Sequence, residues 1–160
     1  MNKMGASMKK MTGLLVLALT VPSVSAIAQE HYTEGPVWVV SYYRIGDDQF
    51  ENYMKYLRAN VLPQDEEAKK QGLVLDNKMF TKLPDGPDDW DVAFATLYRS
   101  GAEAMDYSKD RDEKGKAIAE KHYKTADEDK QREVGKPRLA MRRYLGTRVL
   151  REVTLKPMTK

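Results

Sequence analysis

Residues 35–45, "GPVWVVSYYRI", have no side that suits bulk water. In an extended chain successive side chains point to opposite faces, which puts Val37, Val39, Ser41 and Tyr43 on one and Trp38, Val40, Tyr42 and Arg44 on the other. Both sets are mainly apolar or aromatic, so the strand has to be covered twice. Helices from the same chain can cover one face. The need for a second cover constrains the fold more than any other feature of the sequence.

The 28 residues at the start have the layout of a secretory signal. Lys3, Lys9 and Lys10 precede the apolar run "MTGLLVLALTVPSVSA", and "AIA" at 26–28 places small residues ahead of Gln29. The run is shorter than the roughly 20 residues of a membrane helix, and Thr, Pro and Ser interrupt it. Cleavage after residue 28 leaves no stable membrane anchor, and there is no cysteine to carry a lipid. The expectation is a periplasmic or secreted protein without disulfides, held by its core and by a partner subunit. The same 28 residues contain three of the 27 basic residues and none of the 24 acidic ones, so the remaining 132 carry 24 of each sign. That balance gives no overall electrostatic case for nucleic acid or an anionic membrane. The length fits one domain, expected over 36–156, with a flexible segment at 29–35 and a tail at 157–160.

Beyond the first strand, "GDDQ" reads as a turn with Asp47 or Asp48 capping a helix. Phe50, Tyr53, Met54, Leu57 and Val61 follow at helical spacing and give that helix one apolar face. Pro63 restarts the helix, "QDEE" places acids at the new N-terminus, and Gly72 stops it. "GLVLDNKMFTKL" (72–83) and "WDVAFATLYR" (90–99) read as strands joined by the loop "PDGPDD". The charged stretch from Ser100 to about Pro137 reads as a solvated helix with one weak apolar stripe and Gly115 as a flaw in it, then a shorter helix up to "GKP" with the capping-box spacing Thr125-x-x-Glu128. "LAMRRYLGTRVLREVTL" (139–155) alternates as the last strand, with a bulge at Gly146.

The order β-α-β-β-α-β on so short a chain is the α+β, ferredoxin-like plan: four antiparallel strands with two helices on one face. In the third strand Ala93 and Ala95 alternate with Val92, Phe94, Thr96 and Tyr98. Because helices approach closely over small residues, the alanine side is assigned to the helices together with Val39 and Ser41. Trp38, Tyr42, Arg44, Phe94 and Tyr98 then share the helix-free face, and a second copy covers them by a symmetric, face-to-face contact.

With "VWVVSYYRI" leading straight into "DDQFENYMKYL", and with the terminal strand "RYLGTRVLREV", residues 36–156 resemble the dimeric α/β-barrel superfamily, which includes antibiotic-biosynthesis-monooxygenase-like and NIPSNAP-like proteins. The resemblance implies a homodimer and transfers no active-site residue. The long charged segment after Tyr107 departs from the usual compact second helix.

The residues themselves supply no catalytic constellation. There is no G-x-S-x-G and no phosphate-binding glycine loop, and Ser41, Ser100 and Ser108 have no base beside them in sequence. His31 and His122 are isolated imidazoles without a ligand at helical spacing, and "DGPDDWD" lacks the spacing of a calcium loop. No cofactor and no metal is expected. The candidate ligand cavity is the helix-free face, with Trp38, Tyr42, Arg44, Phe94, Tyr98 and Arg148 around a small apolar or aromatic molecule. Arg148 and Glu152 share one face of the last strand with Tyr144 and Leu150. Two functions are carried forward: an exported binding or structural homodimer, which the lack of a catalytic constellation favours, or, as the resemblance implies, a cofactor-independent monooxygenase or isomerase acting on an aromatic or polyketide-like substrate. A base beside the Tyr and Arg side chains would favour the enzyme.

Overall fold

The computed structural model describes residues 31–158; the segment read as a secretory signal lies outside the described residues. Four strands, β1 (Tyr32–Ile45), β2 (Asp76–Thr81), β3 (Val92–Tyr98) and β4 (Arg142–Leu155), form one antiparallel sheet in the order β2-β3-β1-β4. Helices α1 (Phe50–Asn60) and α2 (Leu62–Lys70) connect β1 to β2, and α3 (Gly101–Met105), α4 (Lys109–Tyr123) and α5 (Glu128–Met141) connect β3 to β4. This element order and strand order define the ferredoxin-like plan.

Local chemistry sets most boundaries. Gly72 has φ +70, and the amides of Gly72 and Leu73 bond to the carbonyls of Lys69 and Ala68, closing α2 with a Schellman motif. Pro63 sits in the first turn of α2, where its missing N–H has no partner to lose. Two expected caps are displaced. The N-cap of α1 is Gln49, because Asp48 is held in the left-handed region at φ 59. The N-cap of α5 is Asp127, which accepts from the amides of Asp129 and Lys130, while Thr125 accepts from the Asp127 amide two residues before the helix cap. Leu139, Ala140 and Met141 close α5 instead of opening β4, and Met141 accepts from the Gly46 amide at 2.9 Å.

β1 starts earlier than expected. Tyr32–Glu34 pair with Val153–Leu155 across a bulge where Gly35 and Pro36 together oppose Glu152. A second bulge leaves Leu145 without a partner beside Gly146, at φ +140. It turns Tyr144 to the face opposite Arg148 and Leu150, so the expected sharing of one face fails there.

The helices lie over Val37, Val39, Ser41, Tyr43 and Ile45. Tyr53 and Leu57 of α1 pack on Ile45 and Val92, with Tyr43, Met54 and Phe94 around them. Trp38, Val40 and Tyr42 occupy the opposite face, as expected. The third strand corrects the size argument: Val40 pairs with Ala95, Tyr42 with Ala93, and Ser41 with Phe94. Phe94 and Tyr98 therefore face the helices, and the alanines lie on the helix-free side. The small residues fit under the rings of Trp38, Tyr42 and Trp90 within that one face, leaving the bulky ones to meet α1.

Candidate functional site

Between the helix side of the sheet and α1–α2 lies a cleft of about 750 Å³, a volume in the range of small-molecule sites. Val39, Tyr43, Met79 and Phe94 form its floor, and Met54, Leu57, Val61 and Leu62 its roof. Tyr43 meets Phe94 edge-on at 6.0 Å and Tyr144 at 5.7 Å, so the floor is aromatic and interlocked.

Polar groups enter from two sides. Asp65 projects from α2, three and four residues after Leu62 and Val61, and shares their face of the helix. Among the described residues its carboxylate has no side-chain hydrogen bond or ion pair, and burial raises its pKa from 3.8 to about 6. Tyr98 stands near it. Burial raises the Tyr98 pKa, the Arg111 guanidinium 5.1 Å from its ring centre opposes that, and the Asp65 charge adds to it. From the opposite side come Arg58, Arg138 and Arg142. Arg142 donates to the hydroxyl of fully buried Tyr53 at 2.7 Å and stacks 3.9 Å from the centre of the Tyr43 ring. Ser41 bonds to Thr147 at 2.8 Å, and Thr147 to Tyr144 at 2.7 Å, a chain of hydroxyls running from the cleft to the sheet edge. The arrangement can hold an apolar body, donate hydrogen bonds to anionic groups at one side, and accept a proton at the other.

The residues expected around one cavity are divided by the sheet. Phe94 and Tyr98 line this cleft. Tyr42 and Arg148 meet across the sheet, in a recess of about 340 Å³ beside Gly146. Trp38 and Arg44 enter neither: Trp38 donates to Glu152 at 2.7 Å beneath Lys78, and Arg44 lies 3.7 Å from Asp91. Sequence reasoning missed Asp65, Arg138 and Arg142. A signal for Asp65 exists, because Met54, Leu57, Val61 and Asp65 continue one helical stripe, and a carboxylate there faces an apolar layer. Arg138 and Arg142 gave none, since Arg138 falls between the charged run and the last strand, and Arg142 reads as one more basic residue of that strand. Among the described residues no three His, Cys, Asp or Glu side chains converge as a metal site, and no helix is long and apolar enough to cross a membrane.

No protein-family model and no curated protein matches the chain. Among solved structures it is similar to a dimeric protein of unknown function and ferredoxin-like fold from Bacteroides fragilis NCTC 9343. The two are 11% identical with a TM-score of 0.37, over 76% of this chain and 97% of that one. The fold assignment here rests on the strand order and connections.

Proposed function

We propose that the chain is an exported small-molecule-binding domain acting as a homodimer, with its ligand in the cleft between the sheet and α1–α2. The observation that carries this is the cleft itself: apolar walls with a few convergent polar groups that have no ion-pair partner of their own. A fold that needed only packing there would close α1–α2 onto the floor. The test is fluorescence titration of the mature protein with the neutral aryl probe N-phenyl-1-naphthylamine. Saturable binding, weakened by Met79→Trp at the cleft edge, supports the site; no binding, or binding indifferent to that change, removes it.

The dimer is supported by the helix-free face. Trp38, Tyr42, Phe80 and Leu150 lie on it, with Phe80 and Leu150 about half exposed at 49% and 50%. A patch of this composition is suited to a symmetric contact with a second copy. Export is supported by the sequence of residues 1–28 and is tested by finding whether secreted material begins near Gln29.

Asp65 favours a second reading, the cofactor-independent isomerase or monooxygenase. A carboxyl titrating near 6 beside a tyrosine is suited to removing a proton from carbon next to a carbonyl. Incubating hydroxynaphthoquinones and 1,3-diketones with the protein in heavy water should then show exchange above the buffer rate, lost in Asp65→Asn. Exchange equal in the two proteins rejects this reading.

A further inference from the structure

The cleft described above has two chemically different ends, and the arginine end has no counter-charge. Arg138, in the last turn of α5, and Arg142, the extended first residue of β4, lie four residues apart at the junction of the two elements, and Arg58 approaches from α1. Among the described residues none of the three has a carboxylate partner. Arg142 is bonded to a neutral phenol, and the buried Nε of Arg138 has no acceptor at all. The tyrosines beside them, Tyr53 and Tyr56, are neutral acids whose pKa values burial raises further. Acids do occur near Arg138, in the groove between α4 and α5. There Asp112 is taken by Lys116, and Glu128 by Lys116 and Arg132. Within the cleft, Lys69 is held by Asp76 at 2.7 Å, the exposed Glu66 of α2 makes no ion pair with any of the three arginines, and no cation contributes to the raised pKa of Asp65. The two ends therefore do not neutralise each other.

Guanidinium groups concentrated beside an apolar wall, with no carboxylate paired to them, form a receptor for a planar or tetrahedral oxyanion. From this we infer that the ligand of the cleft is an aromatic or alicyclic molecule carrying one anionic group, of the carboxylate or sulfonate kind. Arg138 and Arg142 take the anionic group, and the ring body lies on Tyr43 and Phe94. The inference rests on the binding reading above and adds the charge and orientation of the ligand. In that orientation the end of the molecule away from the anion faces Asp65 and Tyr98.

The test compares two probes with the same aryl framework: 1-anilinonaphthalene-8-sulfonate, which carries the anion, and N-phenyl-1-naphthylamine, which lacks it. The mature protein should bind the sulfonate about tenfold more tightly. Arg138→Met should remove most of the sulfonate preference, read as the ratio of the two probes' affinities measured in the same variant. Arg138 makes no side-chain hydrogen bond, so this change removes charge without breaking a network. Arg58→Met, on the exposed side of α1, gives an independent second variant and should also lower sulfonate affinity selectively. Equal binding of the two probes to the wild-type protein, or a sulfonate preference that survives both substitutions, overturns the inference and spares the cleft. If neither probe binds, the binding reading falls and takes the inference with it.

Discussion

Asp65 carries the sharpest residue-scale consequence. Its folded-state pKa lies above the unfolded value, so between about pH 4 and 6 the native state binds more protons than the unfolded one. The stability tied to its protonated form is present below the unfolded pKa and is lost as pH rises through the folded one. Asp65→Asn should therefore stabilise the protein at about pH 8 by on the order of 1 kcal/mol, allowing for solvent at a half-buried site, and leave it unchanged near pH 4. Paired denaturant titrations at the two pH values check this, and the difference between variants cancels the other carboxylates. Tyr53 makes a second case. Tyr53→Phe keeps the packing on Ile45 and Val92 but removes the acceptor of Arg142, and should cost about 1 to 2 kcal/mol. A loss of that size with no change in neutral-probe affinity would show that the phenol supports the arginine and does not touch the ligand.

At the scale of elements, the glycines with positive φ are where substitutions report on local design. Gly146→Val forces a β-branched side chain into φ +140 at the bulge that aims Tyr144. It should cost about 2 kcal/mol or more in thermal or chemical unfolding. Much of this level was legible from spacing alone. The Pro63 restart, the Gly72 stop and the Gly146 bulge each follow from what those residues permit in backbone geometry. The caps were less so: Asp48 and Thr125 have the right chemistry, but neighbouring residues took the role once the turns had formed. The faces of β3 were misread for a definite physical reason. Size complementarity operates between neighbouring strands as well as between layers, and Ala93 and Ala95 answer to Tyr42 and Trp38 before they answer to any helix. That one inversion moved Phe94 and Tyr98 to the wrong side and hid the cleft.

At the scale of the whole molecule, the helix-free sheet face should govern assembly. Tyr42→Asp puts a charge among Trp38, Trp90 and Ala93, and the mature protein should shift from dimer to monomer by sedimentation at micromolar concentration. Wild-type protein that is already monomeric and fully soluble would rule out that role for the face. The α+β class and the strand count could be read from the order of the segments. The cleft could not, because Arg138 and Arg142 enter it from residues remote in sequence from Asp65, and only the antiparallel return of β4 beside β1 brings them there.

The pairing of Tyr32–Glu34 with Val153–Leu155 has a mechanical consequence. These residues are the outer ends of two adjacent antiparallel strands, so a pull on both ends of the domain acts across the ladder and not along it. The load falls first on the bond from the Lys156 amide to the His31 carbonyl, then on the Tyr32–Leu155 pair and each pair inward, and the bonds part in sequence instead of sharing the force. Pulled in this way, the domain should open gradually at low force from the β1–β4 ribbon, with the helix-covered core around Tyr53 yielding afterwards.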